Sequence, residues 1–444
     1  MYNIFNQKII LPISDRIFNR KISFFLNFLL KSQYWSKSKI ETYQNVQLQN
    51  LVQHSYENVP YYTQLFNNLS LKPRDIKTKD DLIKLPLLTK KIIRENLPDK
   101  IVAKNIHPNS YYNISSSGST GEPLKYFISK DAYSFNIASN LRGLSWGGYK
   151  LGSKILKISM NPRSTIEKKI QDLLNRTKYV SAKNIDDRQI QKIYEIMMEH
   201  KPYLIYSYPQ PLAMVATYIN DRKLAKINVP MVNTSATNLI SSDRSIIEEI
   251  FNTKIFDSYS CEGSPIIFEC NTHECYHVAM EYAITELIKD NQYIKPGEIG
   301  SHITTDLHNY AMPFIRYDTQ DILELGNEHC ACGKQLMCIS KIHGRYSDII
   351  ITPDGKRFLV EHFVEYFEYE NSITQFQVYQ EDYRLLVFRL IVNNEFKSSD
   401  KERIISHWEK NTSGKMDVRI NIVDSLESFR SGKRRIIVKS EHID

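Results

Sequence analysis

Between Lys154 and Phe256 the chain alternates short apolar strands with helical stretches, and this alternation limits the fold more than any other feature. Lys154 to Ser159, Tyr203 to Tyr208, Met231 to Thr234 and Lys254 to Phe256 read as strands, with a further strand inside 165–200. Helical spacing fills the gaps, at Ala213 to Tyr218 and at Asp243 to Phe251. Such alternation predicts α/β layers with parallel strand pairing. In open sheets of that kind ligands settle at the carboxyl ends of the strands. Pro209 and Pro211 are expected to stop the second strand.

Upstream lies Ser115-Ser116-Ser117-Gly118-Ser119-Thr120-Gly121-Glu122-Pro123-Leu124-Lys125-Tyr126. Two glycines let the backbone bend so that successive N–H groups converge on an anion. The hydroxyls of Ser116, Ser117, Ser119 and Thr120 add donors, and Lys125 adds charge. The spacing is neither that of a Walker A loop nor that of a dinucleotide fingerprint. As composition alone it also reads as a Ser/Gly linker.

At 444 residues the chain is long enough for two domains. Its net charge of +8 is spread along the sequence and lacks the clustered cations with interleaved aromatics of a nucleic-acid binder. Ile22 to Leu30 is too short to span a bilayer and is expected to be a buried or interfacial helix. No secretory signal is evident, so a cytoplasmic location is expected, with peripheral membrane contact left open. Residues 1 to about 50 read as helices, the last ending before Pro60; a turn and an irregular connection are expected to follow, through Leu85-Pro86-Leu87-Leu88.

The Ser-rich loop resembles the phosphate loop of adenylate-forming enzymes, the superfamily of acyl-CoA synthetases, luciferases and adenylation domains. Leu124 between Pro123 and Lys125 is similar to the phenylacetate–CoA ligase branch and its capsular polysaccharide relatives. Further segments follow in the order that resemblance implies. Tyr259-Ser260-Cys261-Glu262 looks like the motif whose aromatic packs on adenine and whose Glu binds Mg²⁺, with Ser260 in place of Gly. Arg316-Tyr317-Asp318-Thr319-Gln320-Asp321 matches the segment whose last Asp bonds the ribose hydroxyls, with Gln320 in place of Gly. A carboxylate is a natural acceptor for a cis-diol. Gly344-Arg345-Tyr346-Ser347-Asp348 is similar to the family's hinge, implying a ribose or phosphate contact for Arg345 and a pivot at Asp348. Ser431-Gly432-Lys433 resembles the motif whose lysine bridges carboxylate and α-phosphate.

The resemblance implies an α/β fold: a large multi-sheet N-terminal domain over 1–345 with a helical entry segment over 1–100, a hinge at 346–348, and a small α+β lid over 349–444. The lid is expected to run β-α-β-β-α-β. The implied function is ATP-dependent activation of a carboxylic acid through an acyl-adenylate, then acyl transfer in bacterial cell-surface polysaccharide synthesis. The alternatives are aryl acid:coenzyme A thioester synthesis and a non-catalytic scaffold with the same fold. ATP and Mg²⁺ are implied, held by Ser116, Ser117, Gly118, Ser119, Thr120, Gly121, Lys125, Tyr259, Asp321 and Arg345 for the nucleotide and Glu262 for the metal. Lys433, Glu262 and Thr120 are the implied catalytic residues, and the acceptor is a coenzyme A thiol or an amine, that of a sugar included.

Six cysteines in this length do not form a disulfide framework. Cys270, Cys275, Cys330 and Cys332, with His273 and His277, have zinc-ligand chemistry. Some members of the branch are similar here, which implies structural zinc on Cys270, His277, Cys330 and Cys332, with Cys275 or His273 as replacements. Reduced, buried thiols are the plain alternative. Cys261 and Cys338 are expected to be packing or loop residues. The acid pocket is expected among Tyr133, Trp146, Tyr206, Ser235 and Ala236.

Overall fold

The computed structural model describes residues 2–115, 124–159, 166–182, 186–345, 350–358, 360–367, 370–426 and 436–440. Contacts divide the chain into two units, the second beginning at His343 and including Gln320–Ile322.

The first unit is built on a sheet of twelve strands among the described residues. Thr177–Ser181, Ile155–Ser159, Leu204–Ser207, Met231–Ser235 and Ile255–Tyr259 lie side by side in that order, all parallel. Their Ile, Leu and Val side chains other than Ile155 are buried, and helices Asp187–His200, Pro209–Asp221 and Ser241–Phe251 pack on them. Beta-branched side chains suit a pleated surface covered by helices. Ile267–Glu269, Tyr276–Val278, Cys338–Arg345, Tyr317–Leu325, Ile299–Asp306, Ala283–Lys289 and Gln292–Tyr293 continue the sheet. A separate hairpin pairs Tyr111–Ser115 with Lys125–Ser129, bringing Ser115 opposite Lys125. The loop motif from Ser116 to Gly121 joins these two strands and lies outside the described residues.

Several boundaries differ from expectation for local reasons. Strand Leu204–Ser207 ends just before Pro209, and Pro209 and Pro211 also sit in the first turn of helix Pro209–Asp221. A proline at the first helical position loses no hydrogen bond, and its fixed φ suits the helix. Pro60 likewise opens helix Pro60–Asn68 where a turn was expected. Strand Ile255–Tyr259 runs on through Tyr259, so that residue ends the strand and does not follow it. Ile22–Ser32 is a helix whose Ile22, Leu26 and Leu29 are buried, with Phe25 against Phe135 of helix Lys130–Trp146 at 4.6 Å between ring centroids.

The second unit carries a four-stranded sheet, ordered Asp417–Ile422, Leu385–Val392, Ile373–Asp382, Ile437–Lys439. The outer pairs are parallel and the central pair antiparallel. Trp408 of helix Ser398–Asn411 stacks on Phe363 of helix Val360–Phe367 at 4.4 Å, and both meet Phe388. The expected β-α-β-β-α-β order lacks two elements, a second strand before the first helix and the last strand, Ile437–Lys439. Ile350–Ile351 pairs with Arg357–Phe358 as a two-residue hairpin ahead of the first helix. Gly355 turns it with φ of +83°, a conformation cheap only for glycine.

Candidate active site and metal centre

The carboxyl ends of the parallel strands gather polar side chains. Thr234 Oγ1 donates to Asp257 Oδ1 at 2.6 Å, and Asn233 Nδ2 donates to the Phe256 carbonyl at 2.7 Å. Burial pushes the Asp257 carboxyl up to about 7; Glu269 adds to this, while Thr234, Arg244 and Tyr276 oppose it. Two residues on, the Tyr259 hydroxyl lies 3.2 Å from Cys261 Sγ and 3.2 Å from His302 Nδ1. The loop then delivers a half-buried Glu262 and turns at Gly263, whose φ is +65° and whose carbonyl accepts from Thr304 Oγ1 at 3.2 Å. Burial raises the Tyr126 phenol, and the Glu262 charge raises it further, so Glu262 stands near strand Lys125–Ser129. Lys125 itself is exposed.

Asp321 is buried on strand Tyr317–Leu325, and Arg345 closes strand Cys338–Arg345 with Nε 3.5 Å from Asp321 Oδ1. Gln320 holds φ of +63°, which accounts for glycine being usual at that place in the motif. Arg316 serves a different purpose. Its guanidinium reaches Glu286 at 3.1 Å and the Leu85 carbonyl at 2.7 Å, and its carbonyl accepts from Leu88 N at 2.9 Å. It thereby ties the Leu85–Leu88 segment to the sheet. Asp348 and Lys433 lie outside the described residues, as do Ser116, Ser117, Gly118, Ser119, Thr120 and Gly121.

The structure brings Cys270, His277, Cys330 and Cys332 together, one ligand atom from each lying within 4.8 Å of the others. Cys270 and Cys330 Sγ are 3.5 Å apart, and His277 Nε2 is 3.0 Å from Cys332 Sγ. Sulfurs on a tetrahedral zinc stand about 3.8 Å apart, so three thiols and an imidazole at this spacing fit a closed zinc site. Cys275 Sγ lies 2.9 Å from Cys338 Sγ, and His277 Nδ1 is 3.7 Å from that same Cys338 sulfur. Cys338 is buried in contact with a thiol and an imidazole. Strand register places it opposite His277, a pairing that only the folded sheet creates. His273 turns away to Glu269 at 3.2 Å.

The expected acid pocket divides. Tyr206 and Ser235 meet, hydroxyl to hydroxyl at 3.3 Å. Tyr133 packs instead against Tyr112, and Trp146 lies edge-on to His277 beside the thiols. Sequence reading also missed His302, which burial lowers to about 3 and which contacts Tyr259.

In donor chemistry the described residues fit an ATP·Mg²⁺ complex. Glu262 offers a half-buried carboxylate beside the strand that follows the Ser-rich loop, and Asp321 offers an acceptor flanked by a guanidinium. The fold is that of the adenylate-forming enzymes. A 2-hydroxyisobutyryl-CoA ligase in its postadenylation state, in complex with an acyl-AMP, superposes with a TM-score of 0.74 over 93% of each chain at 16% identity. The chain is a homologue of proteins named CapK and phenylacetate-coenzyme A ligase. Protein CapK of Staphylococcus aureus is 23% identical over 422 residues, 89% of this chain and 88% of that protein. A phenylacetate-coenzyme A ligase of Thermus thermophilus is 22% identical over 349 residues, covering 71% of this chain and 72% of its own. Residues 350–440 match the CapK C-terminal domain. Among the described residues no helix is long and apolar enough to cross a membrane.

Proposed function

We propose that this chain activates a carboxylic acid with ATP and passes the acyl group to an acceptor in the making of a cell-surface polysaccharide. The acid's carboxylate oxygen attacks the α-phosphorus, the bond to pyrophosphate breaks, and an acyl-adenylate remains. The acceptor's thiol or amine then attacks the acyl carbonyl, and AMP leaves. The reading is carried by the fold it shares, over 93% of each chain, with a ligase holding an acyl-AMP. The polysaccharide assignment draws on the CapK relative and domain match, and coenzyme A as acceptor draws on the ligases.

Two anions must meet in the first step, so cations and hydrogen-bond donors have to offset their repulsion. Lys433 is assigned to the pair of carboxylate and α-phosphate, and the Ser116–Gly121 amides and hydroxyls with Lys125 to the outer phosphates. Mg²⁺ on Glu262 would neutralise phosphate charge. Tyr259 is assigned to the base, and Asp321 with Arg345 to the ribose. Asp348 is assigned as the hinge. Zinc on the thiol cluster would be structural.

Pyrophosphate release with ATP, Mg²⁺ and hydroxylamine across a panel of aryl, acyl and amino acids tests the reading. Release that depends on one class of acid, and that falls by about 10²–10³ in Lys433→Ala, is expected. A thioester formed with added coenzyme A, or an amide formed with an amino sugar, identifies the acceptor. Absence of both release and ATP binding refutes it in favour of a scaffold.

A further inference from the structure

The first N-terminal helical run turns several polar residues inward and a row of apolar residues outward. One helical run extends from Tyr2 to Ile17, through a π-type turn at Asn6–Ile10. Three polar residues face inward on it, beside a partly buried Leu11. Asn3 Nδ2 donates to Ser153 Oγ at 2.8 Å, and Asn6 Nδ2, on a fully covered residue, donates to the Leu174 carbonyl at 3.0 Å. Buried Asp15 accepts from both the amide and the hydroxyl of Ser23 at 2.7 Å. Its outward side carries Ile4, Phe5, Ile9, Ile13 and Ile17, with Ile4 62% and Ile17 70% exposed. Phe5, Ile9, Ile13 and Ile17 recur every four residues, which makes one stripe. Phe24 on the next helix is also exposed.

The adjoining helix Ile166–Leu174 also carries exposed apolar residues. Its C-terminal carbonyl, at Leu174, receives the Tyr2 hydroxyl at 2.6 Å, so its end abuts the first run. Ile166, Ile170 and Leu173 of this helix are exposed, Leu173 by 77%. Single exposed apolar residues are ordinary, but so many on adjoining helices mark a surface that something covers.

The charges say what covers it. Residues 1–40 hold seven Lys or Arg and one acid, Asp15, which is buried and hydrogen-bonded. Lys8, Arg16 and Lys31 are exposed, Lys8 and Arg16 among the apolar residues of the stripe. Apolar side chains pointing outward with flanking cations are what an interfacial helix presents to a bilayer, its long basic stems reaching up to the headgroups. We propose that this face docks the protein on an anionic lipid surface, with Phe5, Ile9, Ile13 and Ile17 entering the headgroup boundary and Lys8, Arg16 and Lys31 meeting lipid phosphates. The inference is independent of the chemistry proposed above.

Flotation of the full chain with vesicles tests it, using phosphatidylcholine alone or with about a third phosphatidylglycerol. The wild type is expected to float with the anionic vesicles and to be released by high salt. Ile9→Asp/Ile13→Asp is expected to lose at least about tenfold in binding. Lys8→Gln/Arg16→Gln is expected to lose about fivefold for each cation. These side chains are exposed, so melting unchanged from wild type identifies folded variants. Absence of wild-type flotation, equal binding to neutral vesicles, or undiminished binding by folded Ile9→Asp/Ile13→Asp overturns the proposal. A wild-type dimer that Ile9→Asp/Ile13→Asp turns monomeric, without lipid binding, overturns it in favour of a contact between copies.

Discussion

Gly263 follows Glu262, and its lack of a side chain is required twice over. Its φ of +65° costs an alanine about 1–2 kcal/mol. A Cβ there would also stand 2.2 Å from Phe314 Cδ2 and 3.1 Å from Cε2 and Cγ. Phe314 cannot simply swing aside. It is buried in the core with Leu88, Leu124 and Met312, 4.8 Å from the Tyr317 ring. Overpacking of this kind costs about 1–3 kcal/mol, so Gly263→Ala should lose about 2–5 kcal/mol in all. A unit of this size melts with an entropy near 0.7 kcal/mol/K, which makes the expected drop about 3–7 °C. Phe314→Ala removes every atom of the clash and leaves the φ penalty in place. Gly263→Ala made in that background should therefore cost only about 1–2 kcal/mol. Thermal melting of the four proteins gives the cycle, and pyrophosphate release reports whether the neighbouring Glu262 has shifted. Equal cost of Gly263→Ala in both backgrounds would refute the steric argument, and no melting change in the single variant would refute both parts.

Elemental analysis should find about one zinc per chain, lost in His277→Asn, which faces both thiol groups, and reduced less in Cys338→Ser. Retention of full zinc by His277→Asn would remove that residue from the set. His302 is buried with its folded pKa near 3, against about 6.5 unfolded. Below about pH 6.5 the unfolded chain binds a proton that the native chain refuses, so this residue's contribution is lost as pH falls. Buried Asp257 acts oppositely. Its folded value near 7 lies above its unfolded value, so its contribution is lost as pH rises toward 7, and the wild-type profile masks both. The stability of His302→Gln relative to wild type should rise by about 1.4 kcal/mol for each pH unit below 6.5, read from denaturant melts; a pH-independent difference counts against the assignment. Gln320→Gly relieves a left-handed residue and should be neutral or stabilising by up to about 1 kcal/mol, and a loss of stability would mean that the Gln side chain makes an essential contact.

What was legible in the sequence was what local chemistry dictates. Short Ile- and Val-rich runs read as strands and form the parallel half of the large sheet. Gln320 stands in a glycine place of its motif, and the backbone there is left-handed. Relations made by the third dimension were not legible. Tyr133 and Trp146 are thirteen residues apart on one helix, about 220° around its axis, so they could not share a pocket wall. Cys338 joins His277 through antiparallel register across sixty residues of chain. The inverted N-terminal face was hidden because Asn3, Asn6 and Asp15 look like surface residues until their partners at Ser153, Leu174 and Ser23 are seen.

The thiol cluster and the strand end that carries Tyr259 are joined by a short chain of hydrogen bonds. Glu269 directly precedes Cys270. Its Oε2 accepts from the Asp257 amide at 2.8 Å and from Arg244 at 2.9 Å, and its Oε1 faces His273 at 3.2 Å. Tyr276, directly before His277, donates its hydroxyl to Asp257 Oδ2 at 3.2 Å. Neighbours of two proposed zinc ligands therefore grip the same strand, two residues before Tyr259. Hydrogen bonds to charged groups contribute about 1.5–3 kcal/mol each, enough together to hold that strand end in one place. A metal that fixes Cys270 and His277 would fix Glu269 and Tyr276 with them, and through these the backbone that leads to Glu262. The cluster needs no part in the chemistry to matter to it. Its loss would loosen the loop after Tyr259 by releasing both grips on Asp257.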